Sequence, residues 1–344
     1  MLRRALSLLI VLSFMPVAVY EINCSATCAV VIDCDTRTVL YNKNAYDERP
    51  MASTTKIMTA ILAIESGKLD DIVTITDEMI AVEGTSLGLK SGDVISLGDI
   101  VTGMMLTSGN DSANAVALYL DGSFEAFAKR MNDKAKELLM QKSLFVTPSG
   151  LDSGNHHTSA YDMAILTAYC LDNEFFANAV SLQSAELSVN GKSVKVYNHN
   201  KLLAMDGDIF GVKTGFTKKS GRCLVSAKHY ENNRIICVTL NAPDDWNDHL
   251  ALYKECEKCY NSITVNNSLT INAVGSDAQS VTAGYEGEYR LVKETEIKEY
   301  YYPFVYAPVS HGERIGWAYI YSGKTLIERL PIEVDGELEY AWEE

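Results

Sequence analysis

Positive charge, long apolar runs and clustered cysteines are all scarce in this chain, and each shortage removes a class of function. Thirty Lys and Arg stand against 45 Asp and Glu over 344 residues, a formal net charge of −15. Phosphate binding needs clustered cations, so the charge argues against a nucleic-acid partner and against a basic patch for anionic lipid. The longest apolar stretch, residues 5–20, is interrupted by Pro16 and falls short of the roughly 20 residues of a membrane span. Eight cysteines are scattered and do not form a disulfide framework. Cys256-Glu257-Lys258-Cys259 has redox-motif spacing, but it falls late in a helical pattern, where it reads as a structural helix face. No second pair completes a zinc site, and there is no H-E-x-x-H. No metal or other cofactor is therefore expected.

What is present begins at the N-terminus. Arg3 and Arg4 precede the apolar stretch, and small residues follow at Cys24-Ser25-Ala26. This is the order of a secretory signal peptide over residues 1–26, so the chain is expected to be exported; left uncleaved, the same segment would be a tether. Cys24 lacks the small residues expected just before a lipidated cysteine, since Glu21-Ile22-Asn23 precedes it. The remaining length fits two domains with buried cores.

Residues 28–33 and 38–41 read as two strands joined by a turn at Asp35-Thr36-Arg37. Helix-period runs cover 53–66, stopped by Gly67, then about 97–108, 111–120 and 124–139. Ser159-Ala160-Tyr161-Asp162 has the form of a capping box and opens another helix through Cys170. Strands follow at 185–189 and 193–197 around Asn190-Gly191, then at 209–216, 223–227 and 235–240. A helix starts near Asp245. Strands, helices and strands again predict an α+β domain over 27–262, with helices packed on a mainly antiparallel sheet. Beyond it helix patterns vanish, and short β-type segments at 268–273, 289–292, 303–306, 317–321 and 325–330 predict a small all-β domain over 263–344. Tyr285, Tyr289, Tyr300, Tyr301, Tyr302 and Tyr306 crowd this domain. Cross-strand packing is the first explanation for them and a binding face the second.

Three fragments carry chemistry in series: Ser53-Thr54-Thr55-Lys56, Ser108-Gly109-Asn110 and Lys213-Thr214-Gly215. A serine hydroxyl is a poor nucleophile until a neighbouring base takes its proton. Residues three apart on a helix share a face, so Lys56 reaches Ser53, and the helix N-terminus favours negative charge on the serine oxygen. Lysine serves as a base only if burial or a second cation lowers its pKa; Lys213 is the candidate second cation. Ser108 offers a hydroxyl to relay a proton to a leaving amine, and Asn110 a carboxamide to hold Lys56 or a substrate amide. Gly215 would let a bound peptide lie close to its strand, with Lys213 and Thr214 facing an anionic terminus. Each fragment alone is common, and a bare S-x-x-K is more often an N-cap beside a surface lysine. In this order they describe a serine acyl-transfer site.

With Pro50-Met51-Ala52 ahead of Ser53, Gly150-Leu151-Asp152, Tyr197-Asn198-His199-Asn200 and residues 211–217, the motifs resemble the low-molecular-weight penicillin-binding proteins, specifically the D-alanyl-D-alanine carboxypeptidases. The resemblance runs from about Cys28 to Tyr260. It implies a β-lactamase/transpeptidase-like catalytic domain. In it Ser53 attacks the carbonyl between the two terminal D-alanines of a peptidoglycan stem peptide, with Lys56 as general base. Ser108 helps protonate the departing D-alanine, Asn110 orders the site, and Lys213 and Thr214 engage the terminal carboxylate. The N–H groups of Ser53 and Phe216 form the oxyanion hole. The implied partners are the stem peptide and β-lactam inhibitors, at the cell wall outside the cytoplasmic membrane, with peripheral membrane association left open.

Two departures stand out. Phe216 replaces a polar residue often found after the K-T-G, and Asp244 and Asp245 occupy a stretch where many relatives carry an Arg for the substrate carboxylate. Arg222 is the candidate substitute. His156 fits a structural position, and Glu174-Phe175-Phe176-Ala177-Asn178 has the form of a β-lactamase deacylation motif but lies far past Ser108. The alternatives are a D,D-endopeptidase, a β-lactamase using the same serine, or a non-hydrolytic peptidoglycan binder.

Overall fold

The computed structural model describes residues 22–293 and 295–341; the segment expected to lead export, from Arg3 to Tyr20, lies outside them. The strands β1 (Cys28–Asp33) and β2 (Val39–Lys43) form an antiparallel hairpin. A 3₁₀ turn, Ala52–Thr55, then runs directly into α1 (Lys56–Glu65). The chain next forms β3 (Ile72–Thr74), α2 (Asp77–Ile80) and β4 (Val94–Ser96), followed by α3 (Leu97–Thr107), α4 (Asn110–Asp121), α5 (Phe124–Glu137), α6 (Ala160–Cys170) and α7 (Glu174–Ser181). A second hairpin, β5 (Ser184–Val189) with β6 (Lys192–Tyr197), turns at Asn190 and Gly191. Both residues have positive φ, 54° and 73°, as a two-residue hairpin loop of this kind requires. After α8 (Leu202–Met205) come β7 (Ile209–Thr217), β8 (Gly221–Tyr230), β9 (Asn233–Leu240) and α9 (Asp245–Cys256).

The central sheet has the order β2-β1-β9-β8-β7, and every pairing is antiparallel. Successive side chains point to opposite faces. Val30, Ile32, Val225, Ala227, Ile236 and Val238 enter the core shared with the helices. Ala29, Val31, Leu224, Ile235 and Cys237 enter a second core, under α9. Burial of both faces explains why these strands read as nearly unbroken apolar runs. Polar groups in the second core satisfy one another: Ser226 bonds His249 and Tyr253 at 2.6 Å each, and Thr239 bonds His249 at 2.9 Å. Ser25 ties the start of the described chain to α9, its amide and hydroxyl donating to the Asp248 carboxylate at 2.8 and 2.6 Å. Cleavage after Ala26 would remove these contacts.

The α+β architecture expected from the sequence is the one observed. Sequence reading passed over β3, β4, α2 and α8, which are three or four residues long and too short to show a period.

The C-terminal strands β10 (Tyr260–Val274), β11 (Ser280–Val292), β12 (Ile297–Tyr301), β13 (Val305–Tyr306), β14 (Arg314–Ser322) and β15 (Thr325–Val334) form one six-stranded sheet with its own core. β10 and β11 are far longer than the segments expected, because they continue through polar residues that alternate with apolar ones. Tyr260, the first residue of β10, is buried in the core under α9 and its hydroxyl donates to Asp33 at 2.8 Å.

Candidate active site

The edge strand β7 presses on the 3₁₀ turn that carries Ser53. A Cβ on Gly215 would stand 3.0 Å from the Ser53 nitrogen and 3.1 Å from the Ala52 Cβ. The absence of a side chain at this glycine lets the serine's own turn lie against the strand. The turn is strained: Ala52 has φ +48°, a left-handed conformation that costs a non-glycine residue about 1 kcal/mol or more. Neighbours brace it. Gly150 has φ +86°, and any Cβ there would overlap the Ala52 carbonyl. That same carbonyl accepts from Thr55 Oγ1 at 2.8 Å. Thr55 in turn meets His156 Nε2 at 2.8 Å, while His156 Nδ1 accepts from the Val146 amide at 2.9 Å. Burial holds His156 down to about 4, so it stays neutral and supports the turn, the structural role expected of it.

Ser53 sits on that 3₁₀ turn and not on a first α-helical turn. Side chains three apart eclipse in this geometry, which places Lys56 directly over the serine. Lys56 Nζ lies 2.9 Å from Ser53 Oγ, 2.8 Å from Asn110 Oδ1 and 2.7 Å from the Ser149 carbonyl oxygen. These three acceptors match the three donors of an ammonium. Lys56 is fully buried. Burial first and the charge of Lys213 second hold its pKa well below the ordinary lysine value, with Asp111 opposing.

The link between α3 and α4 supplies the opposite wall. Ser108 caps α3 with φ 64°. Asn110 opens α4, its Nδ2 donating to the Glu83 carbonyl and its amide to Thr85, both at 2.7 Å. Asp111 accepts from the amides of Leu87, Gly88 and Leu89 at 2.8, 3.0 and 3.1 Å and from the Ser86 hydroxyl at 2.6 Å. One carboxylate thus folds the loop that brings Thr85 to the cleft.

The cleft is about 280 Å³ and is lined by Ser53, Thr85, Ser108, His199, Thr214, Gly215, Phe216, Arg222, Asp245 and Trp246. Lys213 is buried behind it, its Nζ donating to the Thr214 carbonyl at 3.1 Å. Burial lowers Lys213 to about 7. His199, exposed along the cleft, is held below the ordinary histidine value by partial desolvation and then by Lys213. Phe216, 66% exposed, stands at the mouth.

Arg222 pairs across from Phe216 and donates through Nε and Nη2 to Asp245 Oδ1 at 2.9 and 2.8 Å. Its guanidinium lies 5.4 Å from the Trp246 ring centre. The Asp245 side chain is 3% exposed and that of Arg222 41%, so the acid is consumed while the cation still faces the cleft. Burial raises the Asp245 carboxyl, with Arg222 opposing. Asp244 is engaged elsewhere, accepting from Asn247. The acidic stretch therefore brings no free negative charge to the cleft.

Sequence reasoning named Ser53, Lys56, Ser108, Asn110, Lys213, Thr214, Gly215 and Phe216, and the fold gathers all of them here. It missed Thr85 and Trp246, and it quoted His199 only within a matching motif, with no role. Glu174 opens α7 and does not line the cleft, where Asp245 is the one carboxylate among the described residues. All eight cysteines are free and buried. Cys256 and Cys259 are raised chiefly by burial, which leaves them unreactive.

A family model described as D-alanyl-D-alanine carboxypeptidase matches residues 15–244. The D-alanyl-D-alanine carboxypeptidase DacF of Bacillus subtilis is 36% identical over 228 residues, 64% of this chain and 59% of that protein. DacD of Escherichia coli is 33% identical over 229 residues, 62% of this chain and 57% of that one. The chain thus spans less than two thirds of the length of these curated relatives. Among solved structures, the D-alanyl-D-alanine carboxypeptidase DacD from Francisella tularensis superposes with a TM-score of 0.65 at 25% identity, covering 94% of this chain and 96% of that one. Penicillin-binding protein 5 from Haemophilus influenzae gives 0.66 at 25% identity, covering 93% and 99%. A family match through the motifs of the cleft, joined to a fold shared along nearly the whole chain, makes this protein a member of the D-alanyl-D-alanine carboxypeptidase family.

Proposed function

We propose that the chain is a serine D,D-carboxypeptidase that removes the terminal D-alanine of peptidoglycan stem pentapeptides through an acyl-enzyme on Ser53. The observation that carries this reading is the buried Lys56 amine, 2.9 Å from the Ser53 hydroxyl and depressed in pKa by burial and by Lys213. A neutral Lys56 takes the Ser53 proton as the oxygen attacks the carbonyl between the D-alanines. The N–H groups of Ser53 and Phe216 receive the developing oxyanion, an interaction worth about 3 kcal/mol in such sites. The proton passes through Ser108 to the leaving amine, and D-alanine departs. Water then cleaves the Ser53 ester and returns the hydroxyl. Asn110 holds Lys56 in line. Lys213, Thr214 and the cleft-facing Arg222 bind the substrate's terminal carboxylate. A β-lactam, whose strained amide meets the same groups, acylates Ser53. The substrate lies outside the cytoplasmic membrane, and the charged-then-apolar segment from Arg3 to Tyr20 suits export to it.

The test is D-alanine release from a soluble peptide ending in Lys-D-Ala-D-Ala, comparing the chain with Ser53→Ala, beside covalent labelling by a fluorescent penicillin. Release and labelling that both vanish in the variant are expected. No release from a folded, penicillin-labelled protein would overturn the carboxypeptidase reading and favour an endopeptidase, which a crosslinked muropeptide dimer would reveal.

A further inference from the structure

Several tyrosines unused by the cleft gather on one face of the C-terminal sheet. β12 and β14 pair antiparallel, with Lys298 opposite Tyr321 and Tyr300 opposite Tyr319. Residues two apart on a strand share a face, so Lys298 and Tyr300 align beside Trp317, Tyr319 and Tyr321, and Tyr302, just past the end of β12, borders the same trough. The alternate residues of β14, Ala318 and Ile320, are buried in the domain core. Cross-strand packing accounts for the buried Tyr285 and Tyr289 but not for these rings: Tyr300 is 48% exposed and Tyr302 86%. Tyr300 meets Tyr321 edge-on at 5.6 Å. Together with Lys298 and Lys324 the tyrosines border an open trough of about 600 Å³.

Charge is sorted across the same strands. In a chain of net charge −15, this face presents Lys298 and Lys324, and beside them Arg314 and Arg329 flank Trp317 at 4.7 and 4.2 Å from its ring centre. Glu299 turns to the other side, accepting from the Tyr285 hydroxyl at 2.6 Å, while Glu333 stands opposite Arg314. Glu296 stands at the border, 3.3 Å from Lys298.

We propose that this face binds the glycan strand of peptidoglycan. Tyrosine offers a flat ring for the apolar face of a sugar and a hydroxyl for its edge, and the flanking cations suit the carboxylates of the stem peptides that the strand carries. The residues lining the trough include no aliphatic side chain of the kind a lipid-inserting surface presents. The choice of polymer rests on the proposed function of the cleft. A strand held here raises the effective concentration of stem peptides at Ser53 without any new contact in the cleft.

The test uses the full chain and peptide-free glycan strands, released from sacculi by an amidase and immobilised on beads; the strands offer nothing to the cleft, so the outcome is independent of whether Ser53 cleaves peptides. Wild type and Ser53→Ala should cosediment with the beads alike. A Tyr300→Ser, Tyr302→Ser, Tyr319→Ser triple variant with an unchanged thermal midpoint should bind about tenfold more weakly or worse, the loss of two or three ring contacts. Absence of wild-type retention, equal retention of the triple variant, or preference for phosphatidylglycerol vesicles over the strands would each overturn the proposal.

Discussion

The central sheet is covered on both faces and the C-terminal sheet on one. That difference decides what chemistry each can host. Between two covered faces, β7 and α1 hold two lysines out of water, and burial lowers both. The C-terminal sheet buries Ala318, Ile320 and Ile332 on one side and leaves aromatic rings and cations in solvent on the other. A desolvated site can alter reactivity; a solvated aromatic face can only bind. The largest test of this contrast is removal of the base. Lys56→Ala or Ser53→Ala should lower kcat/KM by about 10³-fold or more, read as D-alanine release, with little change in affinity for the C-terminal face's ligand. Because Lys56 must be neutral to act, acylation by penicillin should slow on acidification through its depressed pKa.

The bracing of the serine turn gives the next largest effect. Gly150→Ala forces a Cβ into the Ala52 carbonyl at a residue with φ +86°. It should cost about 3 kcal/mol or more in denaturant unfolding, and penicillin labelling should fail even where the fold survives. A loss under 1 kcal/mol would show that the Ala52 turn relaxes freely.

The motifs brought Ser53, Lys56, Ser108 and the buried Lys213 into view, because each is fixed by short spacing on one element or by a strand carrying its own pattern. Thr85 and Trp246 were not legible, and His199 was visible only as part of a matching motif. Thr85 reaches the cleft only because Asp111, on another element, gathers the amides of Leu87, Gly88 and Leu89. The partner of Asp245 is Arg222, 23 residues away on β8, a pairing that only the sheet register reveals. The long strands β10 and β11 were cut short for the converse reason: on a sheet with one solvated face, polar positions such as Thr264 and Asn266 are part of the strand and not its end.

Lys213 sharpens the comparison by exposing the cost of a covered site. Folded, it keeps its proton only below about pH 7; in an unfolded chain lysine keeps it to about pH 10.4. Between these values the unfolded chain binds one more proton, so stability rises with pH by up to about 1.4 kcal/mol per unit. Below pH 7 the penalty is complete and flat. Lys213→Met should therefore raise the thermal midpoint at pH 7 and remove one proton from the pH slope between 7 and 10, while D-alanine release falls. An unchanged slope would mean that Lys213 is charged in the folded protein.

Arg222 should matter less, since the proposed function gives it a part in binding the substrate and none in bond making. Arg222→Gln should raise KM for the terminal-carboxylate peptide by about tenfold with kcat reduced less, the signature of binding shared by ground and transition states. Asp245→Asn keeps the guanidinium but frees it from its partner, so KM should move less than in Arg222→Gln. Equal effects from both would place the role in the ion pair and not in the cation.

The smallest effect falls on the solvated face, where it separates binding from stability. Tyr302 is 86% exposed, so Tyr302→Ser should change the unfolding free energy by no more than about 0.5 kcal/mol. Leu224, buried in the core under α9, should cost about 3 kcal/mol when cut to alanine. The two substitutions set a solvated ring just past β12 against a side chain buried in the central sheet, so the gap between them measures what burial contributes. If Tyr302→Ser destabilised as much as Leu224→Ala, the tyrosine face would be a packed surface holding the domain together, and its rings would not be free to meet a sugar.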